Sequence, residues 1–396
     1  MSARPASGAA ARPLNVMMLG LRGIPGVQGG VEKHVEHLAA ELLALGCTVE
    51  VVARAGYVAP QGRDWRGIAV RPIWCPRSRS LEAIVHTMLG VLYAAWRRPD
   101  VLHIHAIGPA LLVPLARLFG LKVVVTHHGF DYDRDKWGRV AKAALKLGEQ
   151  AGIRFAHGRI AVSKAIAATL EQRYRIAVTA IPNGVARPVS LRADDAVRGF
   201  GLEPHRYVLS VGRLVKEKRH LDLIAAFREA GLPGWKLVIV GASDHPDAYT
   251  REVERAARET PGVVMTGFQN GAPLAQLFAH AGLFALPSSH EGLPIALLEA
   301  LAQGLPAVAS DIPANRELQM DPSWYVPVGD IAALAEALRR QAEAPLTEPE
   351  RDALKARIAL TYDHREVARR TLAAYLRVCG EECRPSGAPA PQGKTP

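Results

Sequence analysis

Short apolar runs alternate with amphipathic stretches along most of the chain. A first apolar run at residues 14–19 leads into a glycine-rich loop, and large apolar side chains then recur at steps of four and three residues. That spacing predicts an amphipathic helix, which Gly46 ends. The stripe consists of Val31, Val35, Leu38, Leu42 and Leu45. The next apolar runs are residues 49–53, 101–105, 123–126 and 159–162. Strands that alternate with helices predict a parallel sheet covered on both faces.

A second series of the same kind follows a polar stretch rich in Arg, Asp and Pro. Its apolar runs are residues 208–211, 237–240, 263–266, 283–286 and 307–309. The first strand of each series ends at a glycine, Gly20 or Gly212. The sequence therefore predicts an α/β protein with two tandem Rossmann-like, doubly wound domains that face a cleft.

The same pattern sets the predicted boundaries. They are a disordered leader at residues 1–13, a first domain at 14–186, a linker at 187–205, a second domain at 206–360, a C-terminal helix at 361–378 and a disordered tail at 379–396.

Composition narrows the class of protein. The 396 residues are 49% hydrophobic and 22% charged, which excludes a disordered chain, a fibrous repeat and a polytopic membrane protein. The nearest approach to the roughly 20 apolar residues of a membrane span is residues 83–96. The leader lacks the apolar core of a secretory signal. Four cysteines make neither a disulfide framework nor a metal site, so a cytoplasmic location is expected.

Net charge points to an anionic partner. Lys and Arg total 49 against 38 Asp and Glu, a balance of +11. Such a balance favours nucleic acid, an anionic membrane surface or a phosphate-bearing substrate. The chain has no recognisable nucleic-acid motif and no basic stripe interleaved with aromatic residues, so no nucleic-acid partner is expected.

The sharpest local signal is a pair of glutamates in residues 288–299, SSHEGLPIALLE. Glu291 lies on the loop at the carboxyl end of a predicted strand, and Glu299 lies in the second turn of a helix whose first position suits Pro294. Both carboxylates can then face one cleft, with the helix N-terminus between them available to a diphosphate. Periodicity alone leaves open that Glu291 interacts with the helix dipole and that Glu299 is a solvated surface residue.

A basic loop follows the first strand of the second series. Arg213, Lys216, Lys218 and Arg219 lie in residues 212–219, GRLVKEKR. Arg offers a bidentate fork to phosphate and Lys a point charge, so the loop is a candidate anion site. A solvated basic turn is the alternative.

Two further segments carry candidate chemistry. Gly29 and Gly30 precede the first helix, where glycine lets the backbone approach a ligand closely. His128 follows a strand and could accept a proton or bind a hydroxyl group. Asp131 and Asp133 have no third ligand nearby, which makes a poor metal site, so no metal is expected.

Taken together, these four segments resemble the retaining glycosyltransferases of family 4, which have the GT-B fold. The resemblance spans residues 15–378, and its motifs are the glutamate pair, the basic loop and the Gly-Gly before the first helix. The stretches at 21–34 and 126–138 are most similar to bacterial enzymes that build exopolysaccharides and lipid-linked glycans. The resemblance implies that the second domain holds a nucleotide-sugar, that the first holds the acceptor, and that the last helix returns to the first domain.

The resemblance also implies roles for single residues. Arg213 and Lys218 would clamp the diphosphate, Glu291 would contact the donor sugar near its reacting carbon, and Glu299 would hold the ribose. His128 would lie near the donor sugar and the acceptor. The implied catalytic set is Glu291, His128, Arg213 and Lys218. The implied donor-binding set is Gly29, Gly30, Arg213, Lys218, His290, Glu291, Gly292, Leu293 and Glu299.

The function implied is transfer, with retention, of a sugar from a nucleoside-diphosphate-sugar to a glycan or lipid-linked acceptor, with no cofactor or metal. The alternatives are a non-catalytic sugar-nucleotide-binding module and, on the basic charge alone, a nucleic-acid-binding protein. The lipid-linked acceptor and the basic first domain together predict peripheral attachment to the inner face of an anionic membrane, unless those charges merely solvate the surface. The residues expected at that surface are Arg22, Lys33, Arg77, Arg79, Arg97, Arg98, Arg117 and Lys122, beside the apolar stretch 81–96.

Overall fold

Two α/β domains make up the computed structural model, which describes residues 12–76, 81–133, 138–187 and 193–380. Each domain is built on a largely parallel sheet, so the predicted fold class is confirmed. The predicted leader lies outside the described residues apart from residues 12 and 13, and so does the predicted tail apart from residues 379 and 380.

The first domain has an eight-stranded sheet in the order β3-β4-β2-β1-β5-β6-β7-β8, in which only β3 is antiparallel to its neighbour. The strands are β1 (Asn15–Leu19), β2 (Thr48–Arg54), β3 (Arg63–Trp65), β4 (Ile68–Ile73), β5 (Val101–His105), β6 (Val123–His127), β7 (Gly158–Ala161) and β8 (Thr179–Ala180). The helices are α1 (Gly30–Ala44), α2 (Glu82–Arg97), α3 (Val113–Leu118), α4 (Arg139–Phe155) and α5 (Lys164–Tyr174).

Alternation along β1 separates the two faces of this sheet. Val16 and Met18 pack in one core cluster with the buried stripe of α1. Met17 and Leu19 pack in another cluster with the inner sides of α2 and α3. Because successive strand residues point to opposite faces, α1 covers one face of the sheet, and α2 and α3 cover the other.

The second domain has a six-stranded parallel sheet in the order β11-β10-β9-β12-β13-β14. Its strands are β9 (Tyr207–Val211), β10 (Lys236–Val240), β11 (Val263–Gly267), β12 (Leu283–Leu286), β13 (Ala307–Ser310) and β14 (Tyr325–Val326). Its helices are α6 (Asp195–Gly199), α7 (His220–Ala230), α8 (Ala248–Glu259), α9 (Gly271–Ala279), α10 (Ile295–Ala302), α11 (Pro313–Arg316), α12 (Ile331–Glu343) and α13 (Glu348–Tyr362). The chain order reverses beside β9, and ligands of such sheets bind at the carboxyl end of this switch point.

The linker, the start of α10 and the last helix add to what the sequence pattern predicts or differ from it. The predicted linker contains α6, which packs on α9 and buries Val197. Helix α10 begins one residue later than predicted, so Pro294 is its N-cap. The last helix, α14 (His364–Cys379), packs against α1 of the first domain and buries Tyr375 there. Among the described residues, no helix is both long and apolar enough to cross a membrane.

Candidate active site between the domains

Loops at the carboxyl ends of both sheets meet in the space between the domains. From the second domain come the loop after β9 and the loop after β12. From the first domain come the loop after β1, the start of α1 and the loop after β6. A Cβ atom on Gly292 would overlap the carbonyl of His128, so these two loops touch directly. The site is thus shared between the two halves of the chain.

Lys218 and Glu291 form a close ion pair on the second-domain side. Lys218 ends a 3₁₀ turn after β9, and its Nζ lies 2.5 Å from Oε1 of Glu291. Its aliphatic stem passes Gly212, where a Cβ would lie 3.3 Å from Cε of the lysine. The N–H of Ser289 donates to the carbonyl of Glu217 at 2.9 Å and joins the two loops. Arg213 lies half-buried on the same basic loop.

Glu299 faces the first domain from the second turn of α10. Its Oε1 lies 3.8 Å from Nζ of Lys33 on α1. Burial raises the pKa of Glu299, and the charge of Lys33 opposes that rise. Lys33 therefore lies in the cleft, and its predicted position on a membrane-facing surface is wrong.

Arg22 also lies in the cleft rather than on an outer surface, which corrects its predicted position. Its Nε lies 2.9 Å from Oε1 of Glu32, and its guanidinium also pairs with Asp244 of the second domain. Burial lowers its pKa, but the two carboxylates together raise it. These ion pairs of Arg22 fix the loop that leads into α1 and join the first domain to the second.

The two glycines before α1 have different surroundings. Gly29 has φ +148°, and a Cβ there would overlap the carboxylate of Glu32 and the guanidinium of Arg22. A Cβ at Gly30 would meet no atom within 4 Å. The backbone at Gly30, at the N-terminus of α1, is thus accessible from the cleft.

His128 belongs to a cluster of imidazoles on the first-domain side. Its Nε2 lies 3.1 Å from Nδ1 of His105, and its ring lies edge-on to that of His34. Burial lowers the pKa of His128 to about 3, and the neighbouring His103 and His127 add to the effect. The ring is therefore neutral near pH 7.

Among the described residues, His34, His105 and His128 form the group whose ligand atoms could surround a cation, since these atoms lie within 4.8 Å of one another. The 3.1 Å separation between His105 and His128 is that of a hydrogen bond. Such a bond needs a proton on one of the two nitrogens, and a metal would have to displace it. The geometry therefore fits a hydrogen-bonded pair better than a metal centre.

A buried carboxylate supports the loop that carries His128. Oε2 of Glu149 lies 3.1 Å from Nε2 of His127 and accepts a hydrogen bond from the Tyr132 hydroxyl. Its other oxygen accepts bonds from Arg173 at 2.6 Å and from the Tyr174 hydroxyl at 2.8 Å. Burial alone would raise the pKa of Glu149, but these partners lower it to about 2.

The remaining predicted residues lie on the loop before α10. Nδ1 of His290 is 2.9 Å from the Ser289 hydroxyl. The carbonyl of Leu293 accepts a bond of 2.8 Å from the side-chain amide of Asn183 in the first domain. Gly292 lies against the His128 loop, as described above. This segment is thus held from both domains.

A cavity of about 510 Å³ lies between α8 and β11 and reaches the carboxyl ends of β10 and β11 at Gly241 and Gly267, beside the basic loop. Gly241 and Leu214 line it on the side of the cleft, and Pro246, Met265 and Arg258 line its other walls. Its lining combines apolar side chains with the polar side chains of Thr250, Glu254 and Arg258, a mixture that suits a flat heterocycle.

Sequence reasoning missed the first-domain residues that pair with groups across this cleft. Glu32 and Lys33 lie two and three residues after Gly30, and an acidic side chain in the first turn of a helix was a signal for a paired group there. No sequence spacing predicts the contact between Arg22 and Asp244 or that between Asn183 and Leu293. Each contact joins segments more than a hundred residues apart in the chain.

Comparison with known proteins gives matches over both domains. The model of Glycosyltransferase Family 4 matches residues 28–187, and that of Glycosyl transferases group 1 matches residues 197–358. The 2-deoxystreptamine N-acetyl-D-glucosaminyltransferase of Streptomyces fradiae is 29% identical over 78% of this chain and 81% of its own. The UDP-Gal:alpha-D-GlcNAc-diphosphoundecaprenol alpha-1,3-galactosyltransferase of Escherichia coli is 28% identical over 61% and 66%.

Among solved structures, sucrose-phosphate synthase from Thermosynechococcus elongatus aligns with a TM-score of 0.78 at 21% identity, over 93% of this chain and 99% of its own. That structural similarity shows the fold, whereas the two family models match the amino-acid sequence. The chain therefore belongs to the glycosyltransferases, as a family 4 domain followed by a group 1 domain in the GT-B arrangement.

Proposed function

We propose that this chain transfers a sugar, with retention of configuration, from a nucleoside-diphosphate-sugar to a glycan or lipid-linked acceptor in polysaccharide synthesis. The observation that carries the proposal is the Lys218–Glu291 ion pair, which lies on the same cleft as Glu299 and His128. Cations, carboxylates and a neutral imidazole from two domains thus face one space, as a charged donor with many hydroxyl groups requires.

In the proposed complex, the second domain binds the donor. Arg213 and Lys218 hold the diphosphate, Glu299 accepts hydrogen bonds from the ribose hydroxyls, and the cavity beside Gly241 receives the base. Lys218 already has Glu291 as its counter-ion, so a phosphate oxygen shares the lysine with that carboxylate. The N-terminus of α10 and the accessible backbone at Gly30 add dipoles that favour the phosphates.

The reaction breaks the bond between the anomeric carbon and the diphosphate oxygen, and a bond from that carbon to the acceptor oxygen forms on the same face. The leaving oxygen keeps the electron pair of the broken bond, and the acceptor proton passes to the leaving phosphate. In this scheme the carboxylate of Glu291 stabilises the positive charge that develops on the sugar. Cations held in place before the reaction lower the barrier because they need not reorganise.

His128 orients hydroxyl groups in this scheme rather than removing a proton. A pKa of about 3 makes its imidazole a weak base, so it is poorly matched to a hydroxyl proton near pH 7. Its neutral ring can still donate or accept one hydrogen bond. In this scheme the leaving phosphate, not His128, accepts the acceptor's proton.

We also propose that transfer needs no metal ion, because Arg213, Lys218 and a helix N-terminus supply the positive charge. Activity is expected to survive EDTA. Product formation is measured in the presence of the chelator and again after the chelator and any metal bound to it have been removed. Complete loss of activity that Mn²⁺ or Mg²⁺ restores would contradict this part of the proposal.

The acceptor class is supported by the relatives. One is named for transfer to 2-deoxystreptamine and another for transfer to a sugar on diphosphoundecaprenol. A cytoplasmic location fits a chain whose cysteines suggest no disulfide framework.

The test is a transfer assay. Nucleotide-sugars that raise the melting temperature are first selected, because a ligand that binds only the native state stabilises it. Each is then incubated with glycan and lipid-linked acceptors, and the anomeric configuration of the product is read by NMR. Product with the configuration of the donor supports the proposal, and an inverted product refutes retention. Binding without turnover under any condition would favour the non-catalytic module.

A further inference from the structure

We infer that the outer face of helices α2, α3 and α4 binds an anionic lipid bilayer. Exposed large apolar side chains concentrate on the first domain, and most of them lie on these helices or beside them. This group, called the α2–α4 face below, consists of Trp74, Leu81, Met88, Leu92, Trp96, Leu118, Val140, Leu147 and Phe155. Single exposed apolar residues are normal, but a group on adjacent helices marks an interaction surface.

Helix α2 has two apolar stripes rather than one. Val91 and Ala94 face the core beneath it. Met88, Leu92 and Trp96 recur every four residues on the outer side, and Trp96 is 75% exposed. Packing against the sheet uses only the first stripe, so the second is available to a partner.

The charges of the α2–α4 face have one sign. In these three helices, all of whose residues the structure describes, the acidic side chains are Glu82 and Glu149, and both are buried in ion pairs with arginines. The exposed charged side chains on these helices and at the C-cap of α2 are Arg97, Arg98, Arg117, Arg139, Lys146 and Arg154. Helix α8 of the second domain, in contrast, mixes exposed acidic and basic residues. Apolar side chains among basic ones are complementary to an anionic bilayer.

The structure revises the set of basic residues expected at a membrane. Arg97, Arg98 and Arg117 lie on the α2–α4 face, whereas Lys122 donates a bond of 3.0 Å to the carbonyl of Cys379. Arg22 and Lys33 lie in the cleft, as shown above. Arg77 and Arg79 lie outside the described residues.

The α2–α4 face extends to the edge of the cleft. Trp74 directly follows β4, and β4 runs parallel to β2, which runs parallel to β1. The carboxyl ends of these strands share one edge of the sheet, so Trp74 lies on the cleft side. A bilayer against this face would bring lipid close to the cleft. This link rests on the proposed lipid-linked acceptor, whereas the binding itself requires no turnover.

Flotation of the full chain with vesicles tests the inference. The vesicles contain phosphatidylcholine alone or phosphatidylcholine with phosphatidylglycerol, at low and high salt. The test variant is Leu92→Glu combined with Trp96→Glu. The matched control is Leu360→Glu, because Leu360 is 84% exposed on α13 of the second domain. Thermal unfolding confirms that each variant folds.

Wild type and the Leu360→Glu variant are expected to float with the anionic vesicles at low salt and less at high salt. The α2 variant is expected to bind about tenfold more weakly or worse, since it loses apolar contact and gains like charge. Failure of the wild type to float at low salt, or equal binding by both variants, would overturn the inference.

Self-association is the rival occupant. Analytical ultracentrifugation that shows a wild-type dimer, a monomeric α2 variant and no vesicle binding would assign the α2–α4 face to a second copy of the chain and overturn the inference. The thermal shift caused by nucleotide-sugar is measured on all three proteins. If nucleotide-sugar still raises the melting temperature but the wild type does not float, only the membrane surface is refuted. If the wild type floats but no nucleotide-sugar raises its melting temperature, only the proposed donor is refuted.

Discussion

Lys216 and Lys218 lie two residues apart on one 3₁₀ turn but in different surroundings. Lys216 is exposed, whereas Lys218 lies against Gly212 with its Nζ on Glu291. Composition counts the two lysines equally, and only the direction of each side chain separates a surface charge from a charge in the cleft. The pair therefore provides a matched comparison within one loop.

Lys218→Ala is expected to lower kcat by about 100-fold or more, close to 3 kcal/mol of transition-state stabilisation, because it removes one preorganised charge contact. Lys216→Ala is expected to keep kcat within about twofold. Steady-state kinetics on both folded variants checks this. Equal kcat values for the two variants would contradict the assignment of Lys218.

Glu299→Gln is expected mainly to weaken binding of the free nucleoside diphosphate, and Glu291→Gln mainly to lower turnover. The reason is their positions, one facing Lys33 in the second turn of α10 and the other beside Lys218. Calorimetry and kinetics separate the two effects, with exposed Glu252→Gln as the control. The roles are reversed if Glu291→Gln loses the affinity and Glu299→Gln keeps it.

At the scale of elements, the loop after β6 depends on α4 and α5. Glu149 on α4 accepts hydrogen bonds from Arg173 and Tyr174 on α5 and contacts His127 at the end of β6. The loop that presents His128 is therefore fixed by a carboxylate that never faces the cleft. Stability and site geometry are linked through this one group.

Glu149→Gln is expected to lower the unfolding free energy at neutral pH by about 3 kcal/mol, since its pKa falls from the ordinary 4.5 to about 2 on folding. Because the pKa of Glu149 is lower in the folded protein, its carboxylate stabilises the fold in full at pH values above its pKa in the unfolded chain. This stabilisation is lost as the pH falls from about 4.5 towards 2. Urea unfolding of wild type and variant across this range measures it. A difference between the two that stays constant with pH would contradict the account, and Glu252→Gln is the control.

Elements with a clear apolar pattern could be predicted from the sequence, and elements with a mixed pattern could not. The buried strands β1, β5 and β12 show short apolar runs, which parallel strands covered on both faces must have. Strand β4 contains Arg71 and Pro72 near the edge of the sheet, so no run marks it. Helix α6 lies in a polar stretch in which Val197 is the only fully buried side chain among its five residues.

Some residues of the candidate site could likewise be predicted from the sequence, and others could not. Glu291, Glu299 and the basic loop could be found because each lies on a short motif at the end of a strand. The partners across the cleft could not, because the approach of Lys33 to Glu299 follows only from the relative placement of two domains. Local pattern determines where a loop lies on its own sheet, and tertiary packing determines what it meets.

At the scale of the whole molecule, the domains are joined by side-chain contacts in the cleft and by the packing of one helix. Arg22 pairs with Asp244, Asn183 binds the carbonyl of Leu293, and α14 returns from the second domain to cover α1. An apparent affinity falls with the fraction of molecules in the binding-competent arrangement. Donor binding is therefore expected to depend on contacts that never touch the donor.

Asp244→Ala is expected to raise KM for the donor several-fold with a smaller change in kcat, because the arrangement of the two domains loses its ion pair with Arg22. Small-angle scattering of the free variant is expected to show a larger radius of gyration. Asp311→Ala removes an aspartate–arginine pair within the second domain and serves as the control. Unchanged scattering and KM in Asp244→Ala would show that this pair does not hold the domains.

The central claim is that the cleft binds a nucleoside-diphosphate-sugar through groups of the second domain. A crystal structure with the nucleoside diphosphate that raises the melting temperature most tests it directly. The account predicts a phosphate oxygen within about 3 Å of Nζ of Lys218, ribose hydroxyls on Glu299, and the base in the cavity beside Gly241. A nucleotide bound away from the loop after β9, with the Lys218–Glu291 pair untouched, would contradict it.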